Sequence, residues 1–133
     1  MPAAPDEDDP GLAPVLAAND AFYAAFEQRD LDAMSDVWRH DDDVVCTHPG
    51  WATLRGWAAV SASWFALFQG DQPMQFILTE VRATVRGDAA WVSLDENLIA
   101  GAQAQTVAAL NVFERVDGTW RMAVHHGSGI VAR

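Results

Sequence analysis

The amino-acid sequence predicts an α+β fold, in which helices occupy the first half of the chain and an antiparallel sheet the second. Up to about residue 70, apolar side chains recur every three or four residues, which is the spacing of an amphipathic helix. After that point, four runs rich in β-branched and aromatic residues are separated by short glycine-containing turns. The 133 residues are half hydrophobic, so the chain can bury one core, and we expect a single domain over residues 14–131.

The first two helices are predicted to follow each other with almost no linker. Apolar residues at helical spacing begin after Pro14 and continue to about Arg29. Asp30 has the position and the side chain of an N-cap, and a second, shorter helix follows it. The aspartates at 41–43 end this helix as a solvated turn, because a calcium loop would need alternating ligands and a glycine pivot.

A short strand and a third helix complete the N-terminal half. Residues 44–48 are predicted to form the strand, and the Pro-Gly pair that follows them forms a turn. Trp57 and Trp64 belong to the buried stripe of the third helix, which is expected to end near Gly70.

Four strands then form an antiparallel meander, with the helices packed on one face of the sheet. The Gly-Asp pair at 87–88 and the Asp-Gly pair at 117–118 have the composition and the length of two-residue hairpin loops. The strands are predicted at residues 74–86, 89–100, 105–116 and 119–131.

The first hairpin predicts which side chains of its strands face the core. Opposed residues of an antiparallel pair point to the same side of the sheet, so Ile77 opposes Leu98 and joins an apolar face. Glu96 has the same parity, and we expect its carboxyl group to point inward, where it needs a partner. The candidate partners are Arg55, His48 and His126.

The last hairpin is predicted to place further polar groups on the same inward face of the sheet. If its Asp-Gly pair is the loop, His126 has the inward parity of Asn111, and His125 faces outward. His48 alternates with Cys46 in the short strand and is also expected to point inward. A carboxylate, an amide and two imidazoles would then line one pocket. If His48 and His126 lay on opposite sides of the sheet, acid–base chemistry would lose this basis and a binding role would be favoured.

Aromatic residues near the His48 turn predict an apolar ligand, although core packing is the plain alternative. Trp51 and Trp64 flank this turn and can form a wall for a flat compound. His48, His126 and Glu96 could also form a two-histidine, one-carboxylate metal site. Their scattered spacing favours a site without metal or cofactor.

Charge and composition argue against several classes of partner. The net charge is −11 and every basic residue is an arginine, which argues against binding to nucleic acid or to anionic membranes. The chain has one cysteine and no recognisable signal peptide, so we expect a cytoplasmic protein. Residues 1–13 are acidic and rich in proline, and are predicted to form a disordered tail.

The order and spacing of four short motifs resemble the SnoaL-like branch of the nuclear transport factor 2 (NTF2-like) superfamily. The motifs are Phe-Glu-Gln-Arg-Asp-Leu-Asp at 26–32, His-Pro-Gly-Trp at 48–51, Leu-Arg-Gly-Trp at 54–57, and Gly-Thr-Trp-Arg at 118–121 with the two histidines that follow. The resemblance covers about residues 15–130. It implies a cone, in which a curved, mainly antiparallel sheet wraps a long helix around a pocket, and a homodimer formed through the outer sheet face. Trp91 has the parity of that outer face and is the expected anchor.

The ketosteroid isomerases of this superfamily provide a sharper comparison. They use a tyrosine on the first helix, a protonated aspartic acid on a strand, and an aspartate base beside a proline. By resemblance these positions correspond to Phe22, Asn111 and His48. Phe22 cannot donate a hydrogen bond, so steroid isomerase activity is not implied. Tyr23 is turned by about 100° around the helix, and we expect it to be a poor substitute.

Two functions from different classes remain open. The first is a cofactor-independent acid–base enzyme, an isomerase, cyclase, dehydratase or hydrolase that acts on a small apolar carbonyl compound. Its base would be His48, its polarising donor Asn111, and its orienting group Glu96 or His126. The second is a non-catalytic, dimeric ligand-binding or assembly module. The residues expected to line the ligand site are Phe22, Trp51, Trp64 and Arg55.

Overall fold

A computed structural model of the chain describes residues 11–131 and confirms the α+β fold, with three helices packed against a six-stranded sheet. The helices are α1 (Ala13–Gln28), α2 (Leu31–Val37) and α3 (Trp57–Leu67). The strands are β1 (Val45–Thr47), β2 (Leu54–Arg55), β3 (Met74–Arg86), β4 (Ala89–Ala100), β5 (Gln103–Val116) and β6 (Thr119–Gly129). Residues 1–10 of the predicted tail lie outside the described residues. No helix in this part of the chain is long and apolar enough to span a membrane, and the cytoplasmic location stays a prediction.

The chain turns sharply between α1 and α2 because two consecutive residues leave the helical conformation. Arg29 adopts a left-handed backbone with φ 52° at the end of α1. Asp30 is extended, and its carboxylate accepts a hydrogen bond from the backbone N–H of Ala33 at 3.0 Å. Asp30 is therefore the N-cap that the sequence predicted.

The sheet has the strand order β2-β1-β6-β5-β4-β3 and is mixed. Strands β3 to β6 form the predicted antiparallel meander. The short strand β1 pairs in parallel with β6, which brings Thr47 opposite His126. Strand β2 was not predicted, because two residues are too few to show alternation.

Helix α1 is buried on more than one of its faces. Phe22 packs against Trp64 of α3 and His125 of β6. Tyr23 packs against Phe76 of β3. Because adjacent residues on a helix point about 100° apart, these contacts require that other elements cover α1 from different directions.

A β-bulge interrupts the pairing of β5 with β6. Phe113 pairs with Met122, as the hairpin predicts, but Val112 pairs with Val124. Ala123 is therefore an extra residue in β6, and both Met122 and Ala123 are buried. Such an insertion changes the face on which every later residue of the strand lies.

The bulge reverses the predicted orientations of the two histidines of β6. His125 opposes Asn111 and is buried, whereas His126 opposes Leu110 and is exposed. The prediction that His126 points inward and His125 outward is therefore wrong. The two-histidine, one-carboxylate site that requires an inward His126 is not assembled.

A second bulge, in β3, has the same kind of effect. The register shifts between Thr79 and Arg82, and Glu80 has a left-handed φ of 56°. Ile77 consequently opposes Asn97 and is exposed, so its predicted place in the core is wrong. Both bulges lie outside β4, and Glu96 keeps the inward parity predicted for it.

Candidate functional site

Glu96 is a carboxyl group that strand β4 places in the core. Glu96 is 3% exposed, which confirms the predicted inward orientation. The hydroxyl of Tyr23 donates a hydrogen bond to Glu96 Oε2 at 2.5 Å. Tyr23 takes the place of the expected partners, since Arg55 and His126 are exposed and His48 is bonded elsewhere.

The orientation from which Tyr23 was expected to be a poor substitute for the isomerase tyrosine is wrong, because Tyr23 is buried and its hydroxyl contacts Glu96 and Asn111. The expectation assumed that α1 has a single buried stripe, so that the residue next to Phe22 would turn away from the pocket. Because α1 is covered from several directions, Phe22 and Tyr23 are both buried and meet different partners.

Burial sets the protonation of the Glu96–Tyr23 pair. It raises the pKa of Glu96 to about 7, although the hydrogen bond from Tyr23 acts in the opposite direction. Burial, followed by the adjacent Glu96 charge, raises the pKa of Tyr23 well above its ordinary value. Near neutral pH the carboxyl group can therefore hold or release a proton, while the phenol stays protonated.

A continuous chain of hydrogen bonds connects this pair to β6. The side-chain amide of Asn111 donates to the Tyr23 hydroxyl oxygen at 3.1 Å and to Asn19 Oδ1 at 2.9 Å. Its carbonyl oxygen lies 2.6 Å from His125 Nδ1. The order from donor to acceptor is His125, Asn111, Tyr23, Glu96, and each bond polarises the next.

His125 enters this chain as a neutral donor. A carbonyl oxygen can only accept, so Nδ1 of His125 carries the hydrogen. Burial first, and then the neighbouring His48 and His126, lowers the pKa of His125 to about 3. The ring is therefore uncharged at neutral pH, and it occupies the inward position that had been assigned to His126.

His48 is buried, but its ring is engaged outside this chain. Ser63 donates its hydroxyl hydrogen to the Val60 carbonyl at 2.6 Å, so the 2.9 Å contact between Ser63 and His48 Nε2 requires a hydrogen on Nε2. Burial lowers the pKa of His48 to about 4. Its ring centroid lies 6.4 Å from that of His125, so the two imidazoles are neighbours without a mutual hydrogen bond.

Cys46 lies beside His48 and has no sign of activation. Its sulfur is 3.6 Å from His48 Nε2. Burial, and then the Glu96 charge, raises the pKa of the thiol to about 12. The thiol form therefore persists at neutral pH, in agreement with a small core residue.

The predicted aromatic residues contact His48 but differ in burial. Trp51 is 42% exposed and Trp64 is buried, and each ring meets the imidazole edge-on at about 4.9 Å and 4.8 Å between centroids. Phe22 packs on His125 instead, and Arg55 lies on the surface in β2. Their roles in ligand binding stay predictions.

Cavities lie beside the helices in the described part of the chain. One of about 600 Å³ lies between α1, α2 and the β5–β6 hairpin, and its lining includes Ala17, Ala21 and Trp120. A second of about 290 Å³, which we call the α2–α3 cavity, has Trp64 and Trp57 among its walls. The hydrogen-bonded chain borders neither cavity directly, and Trp64 lies between the α2–α3 cavity and His125.

Within residues 11–131, no three His, Cys, Asp or Glu side chains lie close enough together to hold a metal ion. The buried polar groups are linked instead by hydrogen bonds among amide, hydroxyl, imidazole and carboxyl groups. Such a set can transfer protons and can orient a polar ligand.

Sequence reasoning missed Asn19, Tyr23, Ser63 and the inward orientation of His125. Asn19 and Tyr23 are four residues apart on α1 and share one helix face, which is an available signal of a polar stripe on a buried helix. The β6 bulge has no such signal, because the extra alanine is flanked by apolar residues on both sides.

The sequence matches one protein family and one curated protein. The profile described as the SnoaL-like domain matches residues 15–133. Among curated proteins, F-box protein SKIP8 of Arabidopsis thaliana is 31% identical over 114 residues. That match covers 86% of this chain and 48% of SKIP8, so the chain spans about half the length of this curated relative.

Two solved structures are similar in both sequence and fold. A candidate dehydratase of the NTF2-like family from Streptomyces avermitilis is 35% identical, with a TM-score of 0.86 and coverage of 91% of this chain and 96% of that one. A candidate calcium/calmodulin-dependent protein kinase type II association domain from Thiobacillus denitrificans is 38% identical, with a TM-score of 0.75 and coverage of 98% and 99%.

Proposed function

This chain belongs to the SnoaL-like domain family, and we propose that it is a cofactor-independent acid–base enzyme that acts on a small, mostly apolar carbonyl compound. The observation that carries the proposal is the buried Glu96 carboxyl group, whose pKa of about 7 lets it exchange a proton at neutral pH. Similarity to the candidate dehydratase from Streptomyces avermitilis supports this class of reaction.

The proposed roles differ from those expected from the sequence. Glu96 is the proton-transferring group, because the His48 ring is committed to Ser63 and its pKa is about 4. Tyr23 holds the Glu96 carboxyl group in place, and Asn111 with His125 polarises the Tyr23 hydroxyl.

The exposed position of His126 would by itself favour a binding role. The acid–base proposal therefore rests on a residue without an expected role in the site, His125, which places a buried imidazole beside Asn111. The chain of buried polar groups is sealed from bulk water, so a substrate has to enter the core. This requirement restricts it to small and mostly apolar compounds.

Proton exchange at carbon tests this function without knowledge of the natural substrate. A panel of small cyclic ketones in D₂O is followed by NMR for exchange of the hydrogens next to the carbonyl. We expect the wild-type protein to accelerate exchange for at least one ketone, and Glu96→Gln to lower that rate by about 10²-fold or more. The matched control Glu80→Gln, an exposed position, should keep the wild-type rate. Equal rates for wild type and Glu96→Gln would contradict the proposal.

A second candidate, a dimeric assembly module, is favoured by the outer sheet face. Trp91 and Leu110 are 37% and 40% exposed on that face, and Ile77 and Ile99 add to its apolar surface. The similar candidate association domain from Thiobacillus denitrificans supports this reading. A homodimer through the outer face is compatible with the enzyme, because Glu96 lies on the inner face.

A further inference from the structure

We propose that Asn19 is a positioning residue for the acid–base group, because it fixes the direction of the hydrogen-bonded chain and so keeps Tyr23 as the donor to Glu96. Asn19 is buried on α1, one helical turn before Tyr23. Its carbonyl Oδ1 accepts a hydrogen bond from Nδ2 of Asn111 at 2.9 Å. That Glu96 is an acid–base group rests on the proposed function, whereas the direction of the chain does not depend on it.

The side-chain amide of Asn111 is the member of the chain that could point either way. Its nitrogen carries two hydrogens, and these meet two acceptors, the Tyr23 hydroxyl oxygen at 3.1 Å and Asn19 Oδ1 at 2.9 Å. Its oxygen meets one donor, His125 Nδ1, at 2.6 Å. The observed orientation therefore gives both amide hydrogens an acceptor.

A rotation of this amide by 180° would reverse the chain at a cost in hydrogen bonding. Two amide hydrogens would then face His125, which can accept only one of them, even if Asn19 also turned and donated to the Asn111 oxygen. A buried N–H group without an acceptor is rarer in proteins than a carbonyl oxygen that uses one of its two lone pairs. Without an acceptor at position 19, either orientation would leave one hydrogen unpaired among these groups, so the preference arises from Asn19.

The direction of the chain decides how Glu96 is bonded. The Tyr23 hydroxyl has one hydrogen, which goes to Glu96 while Asn111 donates to the hydroxyl oxygen. In the reversed chain that hydrogen would go to Asn111, and a Glu96 carboxylate would lose its donor. A protonated Glu96 could instead donate to the Tyr23 oxygen, and His125 would carry its hydrogen on Nε2. Asn19 therefore favours the carboxylate form of Glu96 and the Nδ1–H form of His125.

Nitrogen-15 and carbon-13 NMR of Asn19→Leu test this role, since leucine is of similar size and has no acceptor. The His125 signals are assigned by their absence from His125→Ala, and those of Glu96 by their absence from Glu96→Gln. Below the Glu96 midpoint, we expect the Nε2–H form of His125 to approach about half of the population in Asn19→Leu, whereas wild type keeps the Nδ1–H form. The Glu96 midpoint should rise by about 0.3 pH unit or more, because a second, equally stable arrangement that is open only to the protonated carboxyl group doubles the weight of that form.

Three further variants separate this effect from lost packing and lost polarity. Val15→Ala removes buried packing from the same helix and should leave both NMR readouts as in wild type. Asn19→Asp keeps an acceptor at the same position and should keep the Nδ1–H form of His125. In the Tyr23→Phe background, which cuts the chain before Glu96, adding Asn19→Leu should change the Glu96 midpoint by less than about 0.1 pH unit.

An Asn19→Leu protein with His125 in the Nδ1–H form and with the wild-type Glu96 midpoint would overturn the role of Asn19. Equal changes in Val15→Ala would overturn it as well, because they would follow from lost packing. So would a midpoint shift that persists in Tyr23→Phe, since the effect would then not pass through the chain. Asn19→Ala, which lacks an acceptor and adds no bulk, provides the same test if leucine is not accommodated.

Ketone exchange by the wild-type protein distinguishes this inference from the proposed enzyme. If the NMR readouts follow these expectations while exchange is absent, the acid–base function fails and the role of Asn19 in the chain stands. If exchange depends on Glu96 while Asn19→Leu leaves both readouts unchanged, the positioning role fails and the enzyme stands.

Discussion

The hydrogen bond from Tyr23 lowers the free-energy cost of burying the carboxyl group of Glu96. The Tyr23 hydroxyl donates to Glu96 and accepts from Asn111, so one oxygen satisfies both neighbours. Tyr23→Phe should lower the free energy of unfolding by about 1–3 kcal/mol, because two buried polar groups lose a partner. It should also raise the pKa of Glu96 further, since the carboxylate loses its donor.

Urea unfolding measures this cost. Ser128→Ala serves as a control that removes an exposed hydroxyl of β6, and it should change the stability by less than about 0.5 kcal/mol. A Tyr23→Phe variant as stable as wild type would show that the hydrogen bond to Glu96 contributes nothing.

Glu96 and the buried histidines make opposite contributions to the dependence of stability on pH. The folded-state pKa of Glu96 is about 7, above the ordinary 4.5, so its contribution to the unfolding free energy falls as pH rises between those values. His48 and His125 have folded-state pKa values of about 4 and about 3, below the ordinary 6.5. Their contributions rise with pH over the overlapping range.

Glu96→Gln separates these contributions because it removes only the carboxyl group. From about pH 5 to about pH 6.5, the unfolding free energy of this variant should rise with pH more steeply than that of wild type, by about 1.4 kcal/mol per pH unit. Chemical unfolding at several pH values gives both slopes. Parallel slopes would mean that Glu96 titrates normally in the folded protein.

At the scale of elements, the β6 bulge decides which histidine belongs to the site. His125→Ala should cost about 2–4 kcal/mol, because it leaves a cavity and an unpaired Asn111 carbonyl oxygen. His126→Ala, the adjacent exposed position, should cost less than about 0.5 kcal/mol. Thermal or chemical unfolding of this matched pair tests the register. A larger loss of stability for His126→Ala than for His125→Ala would contradict the bulge and favour the regular hairpin pairing, in which His126 faces inward.

The boundaries of the elements were largely predictable, whereas the registers beyond each bulge were not. Hairpin loops set the pairing close to the turn, and there the predicted pairs Val85 with Ala90 and Phe113 with Met122 are present. A bulge adds one residue to a strand, so the side chains further along that strand change face. The amino-acid composition of these strands gives no signal of the added residue. Ile77, His125 and His126 were all assigned to the wrong side for this reason.

The candidate site was predictable only in part because helix α1 is buried from several directions. Inward orientations of Glu96, Asn111 and His48 followed from strand alternation alone. The partner of Glu96 could not be predicted in this way, since a helix α1 with a single buried stripe would bury Phe22 and turn Tyr23 away from the core. Long-range packing, which places β3 against α1, decides that both residues are core.

At the scale of the whole molecule, the apolar outer sheet face and the buried polar groups lie on opposite sides of one sheet. Trp91→Ala should raise the dissociation constant of the proposed dimer at least about 30-fold, as expected for a central aromatic anchor. Trp51→Ala is the matched control, because Trp51 is similarly exposed but lies outside the sheet. Sedimentation equilibrium measures both variants. A monomeric wild type at micromolar concentration, or a dimer insensitive to Trp91→Ala, would contradict the proposed interface.

The proposed chemistry depends on a Glu96 carboxyl group that changes its protonation near neutral pH inside an otherwise uncharged core. Carbon-13 NMR of labelled glutamate side chains, with Glu96 assigned from its missing resonance in Glu96→Gln, follows that proton directly. A midpoint near pH 7 is expected from burial beside Tyr23. A midpoint near the ordinary value of 4.5 would contradict it, because the carboxylate would then be charged at neutral pH and could not act as the proton donor.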